Sequence, residues 1–142
     1  MRLALLPVLI AIALAISACP SSGLTSAAGA ANEKLEAQGL PFRWSVENTS
    51  EGEAMVMHML PLPVGATRAD EHLQQEILTA IRTKEQSKGR YSTALKEVRP
   101  MDDGREVWVL KSLGAGIAYV VAVGSSPGVT NVRLKGPYNY AN

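Results

Sequence analysis

The chain has 142 residues, with 14 Lys and Arg against 13 Asp and Glu, two His and a single Cys. Charges of both signs are interspersed, which excludes the concentrated basic surface of a nucleic-acid binder and any strong electrostatic pull toward a membrane. One cysteine excludes a disulfide framework.

The N-terminus opens with Arg2 and then an apolar run, Leu3 to Ile16, interrupted only by Pro7. A positive start and a run of this length make a secretory signal segment. The run is too short to span a bilayer, which takes about 20 apolar residues. It is followed by Pro20-Ser21-Ser22-Gly23, polar and helix-breaking.

Ile16-Ser17-Ala18-Cys19 resembles the lipobox of bacterial lipoprotein precursors, and the resemblance covers only this N-terminal segment. It implies cleavage before Cys19, a diacylglyceryl thioether on the Cys19 sulfur and an acyl group on the new amino terminus. Two or three chains anchor a protein stably where a single chain does so only marginally. Ala28-Gly29-Ala30 also fits the small-x-small pattern of ordinary signal cleavage, but it lies far from the apolar run, whereas Ser17 and Ala18 alone separate that run from Cys19. Residues 1–18 are therefore expected to be a signal peptide. Lipidation would also cap a lone thiol in an oxidising compartment. Pro20 follows Cys19 in place of the Asp that retains lipoproteins in the inner membrane of enteric-type bacteria, so the expected location is the outer membrane, with the domain in the periplasm. Loss of Arg2 with the signal leaves 13 cationic against 13 acidic residues.

Pro20 to Ala31 is mostly Ser, Gly, Ala and Thr, so residues 19–40 are expected to form a flexible tether, with a possible short helix over Asn32 to Gln38 ending at Gly39. Phe42, Trp44 and Val46 alternate with Arg43, Ser45 and Glu47, a half-buried strand, and Ala54 to Leu60 returns as its hairpin partner. After Pro61 and Pro63, Thr67 reads as an N-cap with Asp70 in the first turn of a helix. Leu73, Ile77, Ala80, Ile81 and the stem of Lys84 recur at helical spacing, and Gly89 ends the element. Leu95 to Met101 and Arg105 to Leu113 flank Asp102-Asp103-Gly104, a hairpin turn. Ile117 to Val123 and Asn131 to Lys135 complete the strands, joined by a loop over Gly124 to Gly128. Val107 to Leu110 and Ile117 to Val121 are apolar on both faces and belong at a sheet centre.

The expectation is an α+β fold: an antiparallel sheet of about five to six strands, in the order ββα and then three or four strands, packed against one main helix. Residues 41–142 form the expected globular domain, long enough for one core.

Few residues suggest chemistry. Gly124-Ser125-Ser126-Pro127-Gly128 matches a nucleophile elbow in pattern, yet a strand follows it and both histidines lie upstream, so a hairpin loop is expected. Gly114-x-Gly116 lacks the third glycine and the helix of a dinucleotide site. Met55-Val56-Met57-His58-Met59 places three thioethers on one strand face, the soft ligands a periplasmic Cu(I) or Ag(I) carrier would use, with His58 on the other; packing is the competing role. His72 and Glu76 supply two ligands without a third, and Asp102 and Asp103 suit local backbone bonding at a turn. Tyr138 and Tyr140 either bind a partner or close one end of the core.

No nucleophile, base and orienting group can be assembled from these residues, and no cofactor is implied. The expected function is that of a non-enzymatic lipoprotein, held in the membrane through Cys19, that binds another envelope protein through a sheet edge or a helix-sheet surface. A metal carrier using Met55, Met57 and Met59, and an immunity or inhibitor lipoprotein, are the alternatives.

Overall fold

The structure, a computed structural model, describes residues 20–91 and 94–142. The expected signal peptide and Cys19 lie outside the described residues. The described chain contains two helices and six strands in two antiparallel sheets, of two and four strands, an α+β arrangement as expected. Two features of its organisation differ from expectation. The globular part divides into two compact units, one ending at His58 and one beginning at Met59. The segment expected to be a tether is helical from its first described residue.

In the first unit, helix α1 (Pro20–Ala37) precedes the hairpin of β1 (Phe42–Thr49) and β2 (Gly52–Met59). The Ala-rich composition that suggested a tether also builds a helix face. Leu24, Ala28, Ala31 and Leu35 follow one another at four, three and four residues and are the shielded positions, with Ala28 and Leu35 buried. The small side chains of Ala28 and Ala31 between the two leucines let α1 lie close against β1. The side chain of Asn32 then acts as a short piece of strand: its Nδ2 donates to the Trp44 carbonyl at 2.9 Å, and its Oδ1 accepts from the Trp44 N–H at 2.6 Å. Both main-chain groups of Trp44 on that side are satisfied by one amide. Tertiary packing of this face decides the helix, because its propensity alone is weak.

In the second unit, helix α2 (Glu71–Gln86) is followed by β3 (Leu95–Pro100), β4 (Glu106–Leu110), β5 (Gly116–Ser126) and β6 (Val129–Tyr140). The four strands pair as successive hairpins in the order β3-β4-β5-β6. Helix α2 starts one residue after its true cap: Asp70, and not Thr67 as expected, accepts from the Leu73 N–H at 2.8 Å. Asp70 is adjacent to the first helical residue, where its carboxylate reaches a free N–H; Thr67 lies too far back. At the other end Gly89 takes φ +75°, and the Arg90 and Gly89 N–H groups turn back to the carbonyls of Glu85 and Gln86 at 3.0 Å each. This is a Schellman closure, which needs a residue without Cβ strain at the left-handed position.

Ile77 and Ile81 of α2 pack on Val98, Trp108, Leu110, Tyr119 and Val121 of the sheet. All five residues of β4 are buried, so both of its faces are covered, as its continuous apolar run required. The last hairpin is longer than expected. The loop over Gly124 to Gly128 reduces to a turn at Pro127-Gly128, and β6 runs to Tyr140 instead of stopping at Lys135. Pro at the first turn position and Gly128 at φ +82° suit a two-residue connection. The extension carries Tyr138 and Tyr140 into the sheet.

Gly116 is opposite Tyr140 in the β5–β6 register, and a Cβ on Gly116 would lie 2.6 Å from Tyr140 Cε2, with Cζ closer still. The ring covers the bare glycine, which is why Tyr140 is buried near the chain end. Gly116→Ala is therefore expected to displace the ring and lower unfolding free energy by about 1–3 kcal/mol, measured by urea denaturation. Combining it with Tyr140→Ala should cost clearly less than the sum of the two single changes.

Candidate functional site

Two buried carboxylates organise the second unit, and neither stood out in the sequence. Glu85, 1 % exposed, lies one turn beyond Ile81 on the inward stripe of α2. The Schellman closure at Gly89 brings Arg90 back over it, so that the guanidinium Nε and Nη2 grip the two carboxylate oxygens, Nη2 at 2.9 Å from Oε1. Tyr119, from the centre of the sheet, donates its hydroxyl to the same Oε1 at 2.5 Å. The Arg90 hydrogen bonds outweigh burial and hold the Glu85 carboxyl below its ordinary range. Burial first, and then its hydrogen bond to the Glu85 carboxylate, push the Tyr119 phenol well above its ordinary range. Glu85 thus remains ionised and Tyr119 remains neutral across physiological pH.

Glu106, 5 % exposed, is the second. Two residues before Trp108 on β4, it shares the inward face of the sheet. Its carboxylate accepts from Thr67 Oγ1 at 2.7 Å, from the Arg68 N–H at 2.7 Å and from the indole Nε1 of Trp108 at 2.9 Å. Thr67, expected as a helix cap, instead ties the approach to α2 onto the sheet. The helical spacing that marked Ile77 and Ile81 as inward also places Glu85 inward, and alternation along β4 puts Glu106 on the face of Trp108. That was the available signal, and charge masked it.

The residues singled out by sequence are scattered. Cys19 lies outside the described residues. Met55, Met57 and Met59 take alternate positions on β2, Met57 buried and the other two half-buried. His58 faces the other way and pairs through Nε2 with Glu47 of β1. Hydrogen bonds from Ser45 and then His58 hold the Glu47 carboxyl below its usual range. His72 and Glu76 are 3.6 Å apart and exposed on α2. Asp103 accepts from the Arg105 N–H at 3.0 Å and pairs with its guanidinium, which lowers the Asp103 carboxyl. Ser126 and Gly114-x-Gly116 stand at strand-turn-strand connections rather than before helices. Among the described residues no three His, Cys, Asp or Glu side chains gather in one place, and no helix is long and apolar enough to cross a membrane.

Among the described residues of the second unit, two surfaces stand out as able to meet another molecule. One is the outer edge of β6, beyond which no strand pairs among the described residues. The opposite edge, that of β3, is met by Gly65, whose N–H donates to the Val98 carbonyl at 2.9 Å, and by Leu62, whose carbonyl accepts from Arg99 Nη1 at 3.1 Å. The other is a cleft of about 510 Å³ at one end of this unit, lined by Arg90, Tyr91, Lys111, Leu113 and Ile117 among others. Comparison of the chain with protein-family models, with curated proteins and with solved structures gives no match.

Because the Glu85 carboxyl is lowered in the folded protein, its stabilising contribution is fully present above the ordinary carboxylate value and is lost as pH falls through the lower folded value. Glu85→Gln is expected to cost about 2 kcal/mol or more at neutral pH, since it leaves a partly buried guanidinium without its counter-ion. It should also flatten the dependence of the urea midpoint on pH below about 4.5. An unchanged acid limb would show that other carboxylates govern acid unfolding.

Proposed function

We propose that the chain is a non-enzymatic lipoprotein of the cell envelope, anchored through Cys19 and binding another envelope protein by strand addition at the outer edge of β6. The open edge over residues 129–133, which ends where Lys84 Nζ donates to the Leu134 carbonyl at 3.4 Å, is the observation that carries this reading. Natural sheets cover or charge their edges because unpaired main-chain groups recruit other strands. Here the β3 edge is covered and β6, a strand of 12 residues, presents exposed Val129, Thr130, Asn131 and Arg133. Recognition through main-chain hydrogen bonds needs no catalytic constellation. It is also consistent with the use of the two buried acids: Glu85 and Glu106 are both saturated by protein donors and offer no free base.

The resemblance of Ile16-Ser17-Ala18-Cys19 to a lipobox supports the anchor. Helix α1 adds a geometric consequence. If Cys19 carries lipid, the helix begins at the next residue, and Leu24 is already partly shielded within its unit. Five helical residues rise only about 8 Å, so the first unit would be held against the bilayer rather than at the end of a long leash.

Two measurements test the reading. Fractionation should find the wild-type chain with membranes and Cys19→Ser released; retention of the variant would overturn the anchor. A photo-crosslinker placed at Asn131 should give a discrete adduct in cells, while the same group at Glu76 on α2 should not. By the alternation of paired and unpaired main-chain groups counted from the Pro127-Gly128 turn, the Thr130 N–H points away from β5. Thr130→Pro should therefore spare the sheet and weaken the adduct about tenfold, through the lost main-chain bond and ring bulk. Equal adducts from Asn131 and Glu76, or an adduct unaffected by Thr130→Pro, would dismiss strand addition.

A further inference from the structure

From the cleft beside the Glu85 cluster we infer a second binding site, for a small amphipathic anion: one carboxylate head on an apolar body. The site is built by the local fold. Glu85 engages Arg90 only through Nε and Nη2, and among the described residues nothing accepts from Nη1. A guanidinium clamped on one edge by a buried carboxylate keeps its planar fork in one orientation, and the remaining donors are presented without the usual loss of side-chain freedom on binding. Lys111 comes from the segment after β4, fixed there by its N–H to the Ala94 carbonyl at 2.7 Å, and its ammonium also has no partner among the described residues. Among the described residues that line the cleft none is acidic, and Glu85, which grips Arg90 from behind, is already saturated, so the lining carries net positive charge.

Apart from Ser112 the rest of the lining is apolar, and two of its three side chains are strongly exposed. Tyr91 is 78 % exposed and Leu113, at the β4–β5 connection, is fully exposed, with Ile117 at the base. The connection that presents Leu113 is held in shape by Ser112 Oγ donating to the Ala115 carbonyl at 2.6 Å and by Asn142 Nδ2 donating to the Gly114 carbonyl at 2.5 Å. Two cations beside three apolar side chains in a concavity of about 510 Å³ match a small ligand with a charged head and an apolar tail. A bare inorganic anion would leave the apolar wall unused, and a neutral lipid would leave the cations unpaired. This inference does not depend on the lipid anchor or on the β6 edge.

Titration of the 15N-labelled full chain with octanoate, below its self-association range, tests it by NMR. Amide shifts are expected at Arg90, Tyr91 and Lys111 to Leu113. Acetate, which lacks the tail, should bind at least about tenfold more weakly, and octylamine, which reverses the charge, should leave those amides unmoved. Replacing Arg90 would strip Glu85 of its counter-ion and endanger folding, so the variants are placed on exposed positions. Lys111→Glu and Leu113→Ser should each weaken octanoate about tenfold with the rest of the spectrum preserved. Shifts that map elsewhere, equal binding of octylamine, or octanoate affinity unchanged in Lys111→Glu would each overturn the inference.

Discussion

An ionised carboxylate inside a protein is tolerated only when donors replace the water it has lost, and the second unit of this chain is arranged around that requirement. Glu85 sits where α2 should present an apolar side chain. Its neighbours are consequently fixed: the helix must end in a left-handed Gly89 so that Arg90 can fold back, and the sheet must supply a hydroxyl, which Tyr119 does. One side chain thereby joins the helix terminus, the loop that follows and the middle of the sheet. Breaking such a pair is costly even though forming it adds little over an apolar contact, so its effect is to specify one docking of α2 rather than to deepen the core.

Glu106 does the same for the other end of the helix. It draws Thr67 and the Arg68 N–H onto β4 while accepting from the indole N–H of the buried Trp108. The segment thus held continues backward to Gly65 and Leu62, which meet the β3 edge. Closure of one sheet edge is in this way a consequence of a buried acid, and it leaves β6 as the edge of this sheet that another chain could extend. Asn32 plays the corresponding part in the first unit, where its amide meets the main chain of Trp44. Across both units, polar side chains are used at places where backbone groups would otherwise be left bare.

A link from these clusters to binding runs through orientation. The clamp on Arg90 uses one edge of the guanidinium and presents the other, and the turn bearing Leu113 is fastened by side-chain bonds to main-chain carbonyls. A polar and an apolar contact surface are therefore both held in place before any ligand arrives, which is what makes a shallow concavity capable of selecting charge and shape.

Periodicity in the sequence was sufficient for the strands, for α2 and for the α+β class, because alternation and the 3.6-residue stripe record directly which side chains leave water. It also made the continuous apolar runs of β4 and β5 readable as a sheet centre, and it showed that a strand, not a helix, follows Ser126. Only tertiary structure decided the rest. Helix α1 exists because Ala28 and Leu35 have β1 to pack against; Thr67 abandons the cap because Glu106 reaches it across 39 positions of sequence; Tyr140 is buried because Gly116 leaves space for its ring. The common reason is that each of these depends on a partner distant in sequence, and composition records what a residue can do locally but not which neighbour the fold will bring to it. The lipobox-like segment ending at Cys19 is the opposite case: the resemblance lies wholly in local sequence, and the anchor we propose from it depends on no partner distant in the chain.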